Sequence, residues 1–255
     1  MRLSGHTVLI TGGAAGIGLA LAERFVRHRN PVILVGRDET KLAHAKARYP
    51  GIAAYTCDLG DEEQTNRLVE RLYADHPELS VLINNAGIQF NYSFAETQAT
   101  AEEAPIPVPF PESRIAGEIA VNLTSPIRLV SGLIPLLSRR DEAAIVNVTS
   151  GLAIVPKKSA PVYCATKAGL RSFTRALRYQ LETSSIRVFE VIPPVVDTAM
   201  TAGRGRNKIT TEQLVDQFWT CYGSNRLEIP IGKVKLLLKL NRLLPGLAEK
   251  ILKNS

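Results

Sequence analysis

In Thr7-Val8-Leu9-Ile10-Thr11-Gly12-Gly13-Ala14-Ala15-Gly16-Ile17-Gly18 a short apolar run breaks into a glycine-rich turn, and Leu19, Leu21, Phe25 and Val26 follow at helical spacing. The order is strand, glycine turn, helix. Glycines at such a turn let the backbone fold tightly and approach a pyrophosphate, whose charge meets the free N–H groups and positive dipole of the helix start. At the first β-to-α turn this pattern predicts dinucleotide binding; a merely structural turn is the competing reading.

Working outward, the chain of 255 residues is long enough for one large core and short for two full domains. A hydrophobic share of 45% with 22% charged residues is an ordinary soluble profile. Met1 to His6 leads straight into the first strand with no signal-peptide h-region, and no apolar run reaches the ~18 residues of a membrane span. Cys57, Cys164 and Cys221 are too scattered for a disulfide framework or a C-x-x-C metal site, so a cytoplasmic setting is expected. His6, His28, His44 and His76 lack ligand spacing and are expected on the surface or on helices; no metal is expected. The net charge of +7 fits an anionic cofactor. No helix-turn-helix, zinc-finger or stacking-aromatic pattern speaks for nucleic acid.

Pro31–Val35 reads as a second buried strand, closing at Gly36-Arg37-Asp38. In dinucleotide folds the end of this strand faces the adenosine ribose, where an acid accepts from a 2′-hydroxyl and an arginine accommodates a 2′-phosphate. Gly36 stands where the acid would be needed and Arg37 follows it, so NADP(H) is preferred over NAD(H). Asp38 would be the ribose acid after a register slip; otherwise it caps the next helix. Ile52–Thr56 is a third strand leading to Asp58 and Leu59, and Asp58 either holds the adenine amine or caps the helix from Asp61 to His76.

Val81-Leu82-Ile83 enters Asn84-Asn85-Ala86-Gly87, whose amides can brace neighbouring strands and whose small residues let a cofactor lie against backbone. Residues 89–113 include Pro105, Pro107, Pro109 and Pro111 and read as an extended surface insertion, either a substrate-side flap or simple decoration. Helical spacing returns from Glu112 to Leu137 around Asn122, a mid-helix asparagine that is unfavourable unless its amide is used.

Ala143–Val148 is a fifth strand delivering Ser150 at its carboxyl end, where ligands of open α/β sheets bind. If Pro161–Thr183 is helical, Tyr163 and Lys167 share one face. A phenol titrating near ~10 is a poor base at neutral pH, but a cation at about 4 Å with an effective dielectric near 20 is worth roughly 4 kcal/mol, about three pKa units. Lys167 is thus expected to bring Tyr163 close to working pH. Y-x-x-x-K alone arises by chance on any helix, and its weight comes from the other stretches.

Arg171, Arg175 and Arg178 form a stripe expected to face solvent or another subunit. Ile186–Ile192 is a sixth strand ending at Pro193-Pro194-Val195-Val196-Asp197-Thr198. Ala202 to Lys208 reads as a solvated basic loop or a lid drawing in an acidic substrate. The tail, near 233–253, is a basic amphipathic helix expected to dock on its own domain or a sister subunit, with anionic membrane as the alternative.

With Thr-Gly-x-x-x-Gly-x-Gly at 11–18, Asn-Asn-Ala-Gly at 84–87, Asn122, Ser150 and Tyr-x-x-x-Lys at 163–167, the chain resembles the short-chain dehydrogenase/reductase family from residue 5 to about 198. Within it, Asn84 to Gln89 and Ile192 to Thr198 look like the oxidoreductases of D-alanyl-lipoteichoate operons.

The resemblance implies a single α/β domain, 1–255, with a doubly wound Rossmann fold and a mainly parallel sheet between helices. It implies Tyr163 as proton donor or acceptor, Lys167 holding the nicotinamide ribose and depressing the tyrosine pKa, Ser150 bonding the substrate oxygen, and Asn122 anchoring a water that relays protons to Lys167. By the same carry-over Gly12, Ala14, Ala15, Gly16, Ile17 and Gly18 line the cofactor phosphates, Asp58 and Leu59 the adenine, Asn85, Ala86 and Gly87 the ribose side, and Pro193, Val196 and Thr198 the nicotinamide. Pro193-Pro194 departs from the family's usual Pro-Gly, and the Pro-rich insertion departs from its common pattern. A homodimer or homotetramer built through the helices carrying Asn122 and Tyr163 is also implied.

The expected chemistry is hydride transfer between the nicotinamide and a small carbonyl or alcohol substrate, the developing oxygen charge met by Ser150 and by a proton from Tyr163. The competing function is a non-catalytic dinucleotide sensor or scaffold. No G-x-S-x-G elbow, P-loop or H-E-x-x-H supports a hydrolase, NTPase or metalloprotease.

Overall fold

The computed structural model describes residues 1–94, 112–203, 205 and 207–253. Most of the Pro-rich insertion, and Arg204 and Arg206 of the basic loop, lie outside the described residues.

The chain alternates strand and helix: β1 (Thr7–Thr11), α1 (Gly16–Arg27), β2 (Val32–Gly36), α2 (Glu39–Arg48), β3 (Ala53–Thr56), α3 (Glu62–Asp75) and β4 (Leu79–Asn84). After the insertion come α4 (Glu112–Ile119), a π-helical turn (Ala120–Thr124), α5 (Ser125–Leu137), β5 (Ala143–Val148), α6 (Pro161–Gln180), β6 (Ile186–Ile192), α7 (Thr211–Gly223), β7 (Glu228–Pro230), α8 (Val234–Leu243) and α9 (Pro245–Leu252). The strands form one sheet in the order β3-β2-β1-β4-β5-β6-β7, every pairing parallel. This is the doubly wound fold expected. The winding direction reverses between β1 and β4, and the crevice at such a reversal is where ligands of open α/β sheets bind.

Alternation along the strands splits the core. Val8 and Ile10, Val32 and Leu34, Val81 and Ile83 pack with α1, α2 and α7, while Leu9, Ile33, Leu82 and Ile145 pack with α3, α5 and α6. Because successive side chains of a strand point to opposite faces, strands covered on both sides read as unbroken apolar runs. Phe25 of α1 meets the rings of Trp219 and Tyr222 of α7 at centroid distances of 5.0 and 5.9 Å, which fastens those helices together.

The helix starts use side chains. Asp38 accepts from the Lys41 N–H at 3.0 Å and Asp61 accepts from the Gln64 N–H at 3.0 Å. Asp38 is therefore the cap of α2. Asp61, not Asp58, caps α3, and Asp58 instead closes its own turn by accepting from the Gly60 N–H at 2.9 Å.

Two other expectations change. His6 is neither on the surface nor on a helix: it is buried, 3.2 Å from the Ser80 hydroxyl and 3.5 Å from Glu142, between the starts of β1, β4 and β5. Ser113–Leu137 runs as one 25-residue helix, long and apolar enough by length and composition to cross a membrane. Leu129, Leu133, Leu136 and Leu137 are buried in the core against the sheet, the position of a central helix in a globular fold.

Candidate active site

β1 hands its chain to the glycine turn. Gly12 and Gly16 adopt φ of +63° and +53°, the left-handed region that glycine enters without strain. The turn is held at the Gly12 N–H, which donates to the Val35 carbonyl at 2.8 Å. A Cβ on Gly18 would stand 2.2 Å from the Gly12 carbonyl oxygen, so only glycine lets α1 start this close to the turn. A Cβ on Gly16 would reach 3.2 Å from the Thr198 methyl, which places Thr198 across the cleft. Ala15, before the first turn of α1, supplies no capping side chain, so the leading N–H groups of that helix remain available to an anion.

β4 supplies the opposite wall. The Thr11 hydroxyl accepts from the N–H groups of Asn85 and Ala86 at 3.0 and 3.1 Å, and the Asn85 amide donates to the Thr11 and Gly12 carbonyls at 2.9 and 3.3 Å. Thr11 and Asn85 thus bolt the glycine turn to the loop after β4. Next door, Asn84 donates to Asn147, and Asn147 to Thr174 of α6, each at 2.9 Å. The strand-bracing role expected of the asparagines is met.

Where β2 ends, Arg37 is exposed, with its guanidinium 3.9 Å from Asp58 after β3. The Asp38 carboxylate is engaged at the start of α2, where Lys41 also lies 2.9 Å from it. Leu59 is buried beside Asp58.

Asn122 sits in the π-helical turn, a feature that recurs at functional sites. Its amide is fully used. Oδ1 accepts from the Ile88 N–H and Nδ2 donates to the Ile88 carbonyl, both at 2.8 Å, and Nδ2 also lies 3.2 Å from the Thr166 hydroxyl. The side chain therefore clamps the chain after Gly87, and a Cβ on Gly87 would stand 3.3 Å from Asn122 Oδ1 and 3.7 Å from Lys167 Nζ. Asn122, Gly87 and Lys167 meet at one point.

Ser150 follows β5 and Tyr163 faces it from α6, near enough for the serine hydroxyl to favour the ionised phenol. Ser150 Oγ also accepts from the Leu152 N–H at 3.1 Å, which fixes its direction. Lys167 is buried, donates to the Val148 carbonyl at 2.8 Å, and lies 5.8 Å from the centroid of the Tyr163 ring.

The electrostatics differ from expectation. Burial lowers Lys167 from its ordinary 10.5 to about 8. Burial pushes the Tyr163 phenol up to about 12; the hydrogen bond from Ser150 works against the rise, and Cys164 and Glu118 add to it. Desolvation of the phenol outweighs any help from an ammonium group engaged by the Val148 carbonyl. The phenol is protonated at neutral pH.

The site thus brings together Gly12 to Gly18, Arg37, Asp58, Asn85 to Gly87, Asn122, Ser150, Tyr163, Lys167 and Thr198. Buried Pro193 accepts from the Gly151 N–H at 3.0 Å through its carbonyl, and buried Val196 bridges to Ile209. Pro194 is accommodated where the family has glycine, with its ring 3.9 Å from where a Gly232 Cβ would stand.

Sequence reasoning assigned no role to Thr11 and misplaced two of the three α6 arginines, Arg175 being exposed as expected. Arg171 is no solvated residue: it donates to Glu190 of β6 at 2.7 Å and to Glu228 of β7 at 2.9 Å, and the far oxygen of Glu190 accepts from the Thr149 hydroxyl at 2.8 Å. Arg178 donates to the Val188 carbonyl at 3.1 Å. A lone glutamate in the apolar run Ile186–Ile192 was the available signal, since a buried charge requires a partner.

The sequence model of short chain dehydrogenases matches residues 6–209. The chain belongs to the short-chain dehydrogenase family. Among relatives, the uncharacterized oxidoreductase DltE of Bacillus subtilis is 40% identical over 242 residues, 92% of this chain and 91% of its own. A serine 3-dehydrogenase of Rhizobium radiobacter is 31% identical over 82% of this chain and 79% of its own. Among solved structures, a short-chain dehydrogenase of Sphingobium yanoikuyae in complex with NADPH is 28% identical, covers 95% of each chain and superposes with a TM-score of 0.79. As a short-chain dehydrogenase the chain is an oxidoreductase of nicotinamide-cofactor type acting on small molecules.

Proposed function

We propose that the protein is an NADP(H)-dependent carbonyl reductase in which Tyr163 is the general acid. The observation that carries this is the pairing of Ser150 with Tyr163 across the carboxyl end of β5, with buried Lys167 one helical turn along α6 beside the glycine turn. When bound, the cofactor supplies the hydride. Its phosphates fit the uncapped start of α1 and the turn that only glycines can form at Gly12 and Gly18. Asn85 to Gly87 and Lys167 would line the nicotinamide ribose, with Pro193, Val196 and Thr198 beyond it.

Ser150 orients the substrate carbonyl by donating to its oxygen, and Tyr163 delivers the proton as negative charge develops there. A phenol held protonated suits reduction, because it is ready to donate at neutral pH. Asn122 acts through backbone, holding the loop after Gly87 against Lys167. Arg37, exposed and facing the adenosine end, supports a 2′-phosphate, in keeping with the NADPH bound by the Sphingobium relative.

Replacing Tyr163 with Phe is expected to lower turnover of aldehydes and ketones by roughly 10²–10⁴ while NADPH still quenches intrinsic fluorescence with unchanged affinity. Unchanged turnover across the panel would overturn the assignment.

A further inference from the structure

The tail docks by a narrow strip only. Val234 is buried and, with Leu237, lies against Gly151 next to Ser150; Ala248 of α9 is buried; and the Lys253 carbonyl accepts from the Lys158 N–H at 2.9 Å. The pair of helices α8 and α9 is thereby fixed at the substrate side of the cleft. What it leaves outside is unusual. Leu236 and Leu243 of α8 are 69% and 75% exposed, and Leu244, Leu247 and Ile251 are 56%, 46% and 58% exposed. Leu236 and Leu243, seven apart, lie on one stripe of α8, as do Leu247 and Ile251, four apart, on α9.

The charge on the same element is one-sided. Lys233, Lys235, Lys239, Arg242, Lys250 and Lys253 face a single carboxylate, Glu249, so this short stretch holds most of the chain's net +7. Apolar side chains exposed beside a dense positive charge suit a surface that is apolar below and anionic above. A second copy meeting this face with its own would set like charge against like charge, which opposes self-association there. A bilayer needs no matching shape from its partner, and each cation near an anionic surface adds to the attraction.

We propose that α8 and α9 seat the enzyme on an anionic lipid bilayer, with the mouth of the cleft beside Ser150 held at that surface. The leucines enter the acyl boundary, and the lysines and Arg242 meet the phosphate headgroups. The substrate pocket then opens next to the lipid, where an amphiphilic carbonyl compound would be concentrated.

The test is flotation of the full chain with extruded vesicles of phosphatidylcholine containing about one-third phosphatidylglycerol, against pure phosphatidylcholine, at low and high salt. Binding is expected to the anionic vesicles, to weaken with salt, and to fall about five-fold for each cation removed in K235Q, K239Q and R242Q. The combined L236S, L243S and I251S variant is expected to lose it at least tenfold while turnover of a water-soluble carbonyl is kept, which separates failure of docking from failure of the reductase assignment. No binding to anionic vesicles overturns the proposal, as does equal binding to both vesicle types. It is also overturned if the serine variant breaks an oligomer in sedimentation without vesicles, since that would make the face a subunit contact.

Discussion

Lys167 should weaken the fold at neutral pH, and the effect is measurable. Its ammonium is buried, and the proton is held with a pKa of about 8 in place of the ordinary 10.5. The difference corresponds to ~3 kcal/mol against the charged form. The unfolded chain binds this proton more tightly than the folded one, so the penalty is complete below pH 8 and is relieved as pH rises toward 10.5. Lys167→Met removes the penalty but also the ammonium's bond to the Val148 carbonyl, itself worth about 1.5–3 kcal/mol. The two effects nearly cancel at pH 7, and the variant should unfold in urea close to the wild type, although turnover is lost. From pH 8 upward the wild type should gain stability relative to the variant, the gap widening by up to ~3 kcal/mol. Urea unfolding of both proteins without cofactor from pH 7 to 10 provides the curves. Parallel curves across that range would refute the reasoning.

Gly18→Ala drives a methyl group into the Gly12 carbonyl, which should cost about 1–3 kcal/mol in thermal unfolding and weaken NADPH binding at least tenfold by titration. Glu190→Ala takes one of two carboxylates from Arg171 and leaves the Thr149 hydroxyl only the Val191 carbonyl at 3.2 Å, and should cost about 3 kcal/mol in urea unfolding, with Glu228 retaining part of the arginine. Asn122→Ala orphans the Ile88 N–H and carbonyl, about 1–3 kcal/mol for each group left without a partner, and should lower kcat without altering Arg37-side cofactor contacts. Arg37→Glu should raise the KM for NADPH at least tenfold and leave that for NADH within about twofold; equal effects on both would remove the 2′-phosphate role.

The sheet was legible because its strands are covered on both faces, so Thr7–Ile10, Val81–Ile83 and Ala143–Val148 stand out as apolar runs against their flanks. β7 was not read. It is short and ends at Pro230, and such a segment becomes a strand only because β6 offers it an open edge. The proposed catalytic set was legible as residue types at fixed spacing, and the use of the Asn122 amide followed from the cost of an idle asparagine inside a helix. What the spacing could not carry was the environment of each group. The one-turn separation of Tyr163 and Lys167 suggested a phenol shifted down. Their burial, which depends on β5 and on the packing around α6, shifts it up. Likewise Arg171 looked solvated because its partners, Glu190 and Glu228, come from distant strands.

The π-helical turn at Ala120–Thr124 has a consequence for length variation in this chain. An α-helix advances about 100° per residue, and the wide turn absorbs one residue more than a regular helix would hold. Deleting a single residue there would let Ser113–Leu137 become an unbroken α-helix with a better backbone ladder. The side chains on either side would keep their phase, because the wide turn had already taken up the extra residue. What would go is the bulge that carries Asn122, and with it the reach of the amide to Ile88.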